Sequence, residues 1–175
     1  ELNYMPDIYA KNKDNLLKLD KKSLSEIGEE YIRKVNNISN NSRIVTDKLP
    51  INFKLIGFIK LIFPNSKIIH CIRNSKDICF SVFKSFFPNQ INFAFDINEI
   101  VEFYNLYDDL MKHWKKFPSL NISNVKYEDI INNPESEIKK IISYCDLKWD
   151  DKCIEFYRNE RPIKTASDTQ ARSKI

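Results

Sequence analysis

Arg73 and Ser81 are the residues best suited to hold an anion. They lie in the run Ile68-Ile69-His70-Cys71-Ile72-Arg73-Asn74-Ser75-Lys76-Asp77-Ile78-Cys79-Phe80-Ser81-Val82-Phe83. The β-branched residues predict a strand over 67–72 that delivers Arg73 at its end. A helix follows over 75–87, with Ser75 or Asp77 placed to cap it and Ser81 on its surface. An arginine at the C-terminal end of a parallel strand stands where open α/β sheets bind ligands. Guanidinium and hydroxyl beside a helix N-terminus make a phosphate clamp. Read alone, the same residues fit equally an Arg73 that caps a surface loop and an incidental Ser81.

The elements that must position this pair follow from composition and spacing. The 175 residues suffice for one domain with a core, and 42% hydrophobic with 13% aromatic content marks a globular chain. A net charge of +4, from 28 basic and 24 acidic residues, suits a small anionic ligand and is too weak to argue for nucleic acid. Cys71, Cys79, Cys145 and Cys153 form no CxxC pair, so no metal is expected, and Cys71 in an apolar strand with Cys79 and Cys145 in apolar helices read as reduced core thiols. The apolar runs fall short of a membrane span and no signal peptide is visible, which makes a cytoplasmic setting the default and a membrane partner unexpected. Only two glycines, Gly28 and Gly57, are present, so there is no GxGxxG and no Walker A loop. Either the ligand is held without such a backbone cradle, or the cradle lies upstream of Glu1; a first residue other than Met favours the second.

Residues 1–40 read as helical, with Leu16, Leu17, Leu24, Ile27, Tyr31 and Val35 at helical spacing and Ser23 or Ser25 as a cap. Strands are expected over 43–48, 67–72 and 121–127. Helices are expected over 51–63, 75–87, 96–117, 128–144 (interrupted at Asn133-Pro134) and 151–158. Strands separated by helices predict an α/β fold with a parallel sheet, as a single domain over 1–175. Strands 43–48 and 67–72 are expected as neighbours, bringing Lys48 and Arg73 to one sheet edge.

Several separated segments, taken in order, resemble a sulfotransferase: Asp47-Lys48-Leu49-Pro50, Leu61–His70, Arg73 with Ser81, Lys126-Tyr127-Glu128-Asp129, and Glu160-Arg161-Pro162 with Thr165-Ala166-Ser167. The resemblance is to the bacterial type often fused to tetratricopeptide repeats, which is similar to tyrosylprotein sulfotransferases. It implies a three-layer P-loop-like fold, a parallel sheet flanked by helices. It also implies 3′-phosphoadenosine-5′-phosphosulfate (PAPS) as donor and a hydroxyl acceptor on a protein tyrosine, a carbohydrate or a small alcohol. By the same resemblance Arg73 and Ser81 grip the donor's 3′-phosphate, Tyr127 lies in the nucleotide pocket, Lys48 contacts the transferring sulfuryl group, and Glu1 deprotonates the acceptor. Ser167, Gln170 and Arg172 are candidates to close over the nucleotide phosphate, or they belong to a frayed tail. The family's 5′-phosphosulfate loop would precede Glu1, and the family continues beyond Ile175. The chain is therefore expected to be incomplete at both ends, to bind adenosine 3′,5′-bisphosphate weakly and to transfer sulfate poorly or not at all. Tetratricopeptide repeats upstream are a further expectation. Two rivals remain: a related P-loop kinase, which needs a Walker lysine and a magnesium-binding Ser/Thr, and a non-catalytic nucleotide-binding module.

Sulfuryl transfer, like phosphoryl transfer, rests on positioning and charge stabilisation. Lys48 suits the bridging oxygen of the leaving nucleotide; a solvated strand-end lysine is the alternative. Tyr127 combines packing surface with a polar tip, while Glu128 and Asp129 read as first-turn acids of the next helix. His70 reads as a hydrogen-bonded residue of an apolar strand. His113, Phe103, Tyr104, Tyr107 and Trp114 read as packing of the long helix.

Overall fold

Apolar side chains at helical spacing build the first of two units. A computed structural model of the chain describes residues 2–39, 42–85 and 92–158. These group into Glu1–Ser66 with Val101–Asn121, and Lys67–Ile100 with Ile122–Ile175.

The first unit is helical. It contains α1 (Tyr4–Asn12), a 3₁₀ turn over Lys13–Lys18, α2 (Lys21–Ser39), a second 3₁₀ turn over Pro50–Leu55, α3 (Ile56–Ile62), and α5 (Ile97–Lys115) from Val101 onward. Ile8 and Val35 are fully buried, surrounded by Met5, Ile27, Tyr31, Leu55, Phe58 and Ile62. Neither Ser23 nor Ser25 caps α2. The Asp20 carboxylate does, accepting the Ser23 N–H at 2.8 Å. It precedes the first helical residue, and its charge complements the helix dipole.

Both glycines are packing residues. A Cβ on Gly28 would sit 3.1 Å from the Ile62 carbonyl oxygen, and one on Gly57 would sit 3.0 Å from the Trp114 ring. Trp114 Nε1 donates to the Phe53 carbonyl at 2.9 Å, and the Phe53 ring meets Phe103 and Tyr107 edge-on. The aromatic residues of α5 are thus half-buried packing residues. His113 is exposed, against Trp114 and Phe117.

The expected strand over 43–48 does not form. The chain bends at Arg43 and Ile44 and then runs irregularly to Leu49. Ile44 and Val45 are exposed, and β-branched residues favour a strand only where a half-buried pleated surface receives them. What fixes this segment is the Tyr31 hydroxyl, which donates to Asp47 Oδ2 at 2.8 Å.

The second unit carries the sheet. β1 (Ile68–Ile72) leads into α4 (Ser75–Lys84); β2 (Ile122–Lys126) leads into α6 (Tyr127–Asn132) and α7 (Pro134–Tyr144). β1 pairs in parallel with β2, from Ile68↔Ile122 to Ile72↔Lys126. The expected parallel sheet of an α/β fold is present, but among the described residues it has two strands, and β2 rather than 43–48 is the neighbour of β1. Asn133 leaves the helical region (φ −140°, ψ 61°), which a following proline disfavours, and Pro134 opens α7. That helix ends at Asp146 in the left-handed region (φ 56°), whose carboxylate pairs with Lys67 at 2.6 Å. The Tyr144 hydroxyl accepts the Ile68 N–H and donates to the Ile68 carbonyl, docking α7 at the start of β1. Cys71 is exposed rather than in the core, because strand alternation puts it opposite Ile68, His70 and Ile72. Over 151–158 two 3₁₀ turns, Asp151–Cys153 and Phe156–Arg158, replace the expected helix. Among the described residues, no helix is long and apolar enough to cross a membrane.

Burial, then the hydrogen bond and charge of Asp47, push the Tyr31 phenol far above its usual range. A raised pKa contributes stability that is present below the unfolded value, about 10, and is lost as pH rises beyond it. Tyr31→Phe should cost about 1–3 kcal/mol at neutral pH, by leaving Asp47 without its partner. Urea melts should show that gap narrowing above pH ~10; a constant gap would mean the hydroxyl does not hold the bond.

Candidate functional site

The two parallel strands end side by side, and both run directly into helices. Arg73 and Asn74 form the turn between β1 and α4, and Tyr127 and Glu128 begin α6 directly after β2. The Arg73 guanidinium lies over the Tyr127 ring, its Cζ 4.8 Å from the centroid. Its Nη2 stands 3.6 Å from Asp77 Oδ2, one turn into α4. The Arg73 side chain is 41% exposed, so its charge is steered by partners yet open to solvent.

Asn74, rather than Ser75 or Asp77, caps α4. Its Oδ1 accepts the Lys76 N–H at 3.0 Å and the Asp77 N–H at 3.4 Å. The Asn74 N–H in turn donates to Glu128 Oε1 at 2.8 Å. That amide holds the Glu128 carboxyl below the usual carboxylate range; its own backbone N–H and the charges of Arg73 and Lys126 act the same way. Three backbone donors at the start of α4 are thus already satisfied by side chains. The Arg73 guanidinium, by contrast, stands open to solvent beside this helix start.

Ser81 is exposed on α4. It follows Asp77 by one helical turn and so lies on the same helix face; its carbonyl accepts from Ser85 Oγ. Lys48 belongs to the helical unit, exposed and next to the Asp47 that Tyr31 holds. Glu1, Ser167, Gln170 and Arg172 lie outside the described residues, as do Glu160–Pro162 and Thr165–Ser167. His70 Nδ1 and Asn124 Oδ1 are 2.8 Å apart across the paired strands, which makes His70 a strand-pairing residue.

The model of the sulfotransferase family matches residues 5–151. The chain belongs to the sulfotransferase family. An uncharacterised protein of Aquifex aeolicus is 34% identical over 163 residues, covering 91% of this chain and 21% of that protein. Protein-tyrosine sulfotransferase A of Caenorhabditis elegans is 23% identical over 113 residues, covering 62% of this chain and 29% of that protein. The chain therefore spans less than a third of the length of either relative. No solved structure matches. Membership covers Lys48, Arg73, Ser81 and Tyr127 and stops short of the tail candidates.

The geometry brings Arg73 and Tyr127 together as one contact. It adds Asp77 and Glu128, which the sequence pattern presents as a cap and a helix-start acid, and Asn74, to which it gives no role. The available signal for Asn74 was its position before a Ser-Lys-Asp first turn, where asparagine is among the strongest caps. Asn74→Ala should cost about 1 kcal/mol of stability in denaturant melts, with α4 amides exchanging faster than those of α7. Unchanged α4 protection would show that the cap does not hold the helix.

Proposed function

We propose that this sulfotransferase domain takes PAPS as donor and passes its sulfuryl group to a hydroxyl acceptor, within a P-loop-like version of the α/β fold. The observation that carries the reading is the Arg73 guanidinium laid over Tyr127 at the C-terminal end of two parallel strands, where open α/β sheets take their ligands. Arg73 already engages a carboxylate, Asp77, so its donors suit a phosphate oxygen. Arg73 and Ser81 would hold the donor's 3′-phosphate, and Tyr127 would line the nucleotide pocket. Family membership supports Lys48 as the cation on the bridging oxygen. The resemblance alone, outside the matched residues 5–151, implies Glu1 as the base and Ser167, Gln170 and Arg172 closing over the phosphate.

In the reaction, the acceptor oxygen loses its proton to a carboxylate and forms a bond to sulfur. The bond from sulfur to the bridging oxygen breaks, and adenosine 3′,5′-bisphosphate leaves with the negative charge that Lys48 stabilises. The acceptor we favour is a tyrosyl hydroxyl, on the similarity to a protein-tyrosine sulfotransferase; carbohydrate and small alcohol are the other classes.

Calorimetric titration of the full-length protein with adenosine 3′,5′-bisphosphate tests the binding half. Arg73→Ala should weaken it about 10- to 100-fold, the loss of one or two charge-assisted contacts. Lys48→Ala should lower sulfate transfer to a tyrosine peptide about 10²- to 10³-fold while the bisphosphate still binds. No binding by the unmodified protein, or equal binding by Arg73→Ala, would overturn the donor assignment.

A further inference from the structure

We propose that Glu128 is the positioning residue for Arg73: by accepting the Asn74 amide proton it fixes the β1–α4 turn so that the guanidinium stays over Tyr127. This rests on the reading of Arg73 as the donor-phosphate ligand. The contacts form consecutive rungs. Ile72 pairs with Lys126 through the backbone, Arg73 lies over Tyr127, and Asn74 is hydrogen-bonded to Glu128. The middle rung carries the chemistry and has rungs on either side. The backbone ladder closes one side; on the other, the Asn74–Glu128 bond ties the turn to α6. A hydrogen bond to a carboxylate is short and strong, and this one ends on a backbone amide, so it constrains the main chain that carries Arg73. Asp77 acts differently, since its 3.6 Å contact between half-exposed groups steers the side chain without fixing the turn.

The test joins NMR of the isotope-labelled protein with bisphosphate titration. In the unmodified protein the Asn74 amide proton should resonate downfield, and the Arg73 side-chain protons upfield through the Tyr127 ring current. Glu128→Gln keeps an acceptor oxygen and should retain both signatures, with affinity within about threefold. Glu128→Ala should lose both and bind adenosine 3′,5′-bisphosphate about 5- to 20-fold more weakly. In an Arg73→Ala background the same Glu128→Ala change should alter affinity less than about twofold, because its effect runs through the arginine.

An upfield Arg73 signal that survives Glu128→Ala overturns the proposal, as does an equal loss of affinity in both backgrounds. If Glu128→Ala does not fold, an Asn74 amide without the downfield shift in the unmodified protein overturns it. If the bisphosphate does not bind at all while the NMR signatures separate Ala from Gln as stated, the positioning role is supported and the donor reading alone falls.

Discussion

The parallel register of β1 on β2 is the constraint from which the candidate site follows. Ile68↔Ile122 through Ile72↔Lys126 set a constant offset along the backbone ladder. The His70–Asn124 contact keeps that offset of 54 residues within the ladder, and the Asn74–Glu128 bond keeps it beyond the ladder's end. Arg73 over Tyr127 falls at the same offset, between the last backbone rung and the Glu128 bond. A one-residue slip would turn every side chain of a strand to the opposite face, separating His70 from Asn124 and Arg73 from Tyr127 together. Register is therefore specified by polar and aromatic pairs as well as by the isoleucines. The tie at the opposite end, Tyr144 on both backbone groups of Ile68, fixes where the ladder begins.

What this does for an anion depends on which part of Arg73 is engaged. Stacking on Tyr127 uses the face of the guanidinium, whereas phosphate is bound through its N–H edge. The two contacts are compatible, so the ring can orient the group without consuming the donors that recognise the ligand. Asp77 does meet the N–H edge, but an ion pair between groups this exposed contributes only ~0–1 kcal/mol. On the proposed reading, a phosphate carrying more charge and more acceptor oxygens would displace such a partner at little cost. Fully buried pairing would have made the exchange expensive.

Sequence reading reached those parts of the site that depend on local pattern. The run Ile68–Ile72 reads as a strand because its residues pair in a sheet, and the break at Asn133-Pro134 follows from proline's effect on its neighbour. Arg73 stands out by its place at a strand end and Tyr127 through the family motif. Their mutual contact needed the strand partner, which sequence reading had assigned to 43–48. Arg43–Lys48 failed as a strand because β-propensity reflects a surface to pack on, and here a tertiary contact, Tyr31 to Asp47, governs instead. The caps missed by smaller margins: Asp20 in place of Ser23 or Ser25, Asn74 in place of Ser75 or Asp77. Each true cap lies immediately before its helix, where the side chain reaches the free amides. Glu128 was read as a dipole partner of its own helix. Its bond to Asn74 is a long-range contact that no local pattern reports.

The glycine shortage has a physical counterpart in the helical unit. Backbone cradles for phosphate use glycine because the chain must approach the ligand closely. Gly28 and Gly57 are instead spent on close packing, under the Ile62 carbonyl and the Trp114 ring. The start of α4 offers no vacancy at the amides of Asn74, Lys76 and Asp77, which the carboxylate of Glu128 and the amide oxygen of Asn74 fill. On the proposed reading, anion recognition at this strand edge falls to side chains, above all to the Arg73 guanidinium that lies beside the register of two strands and the bond from Glu128.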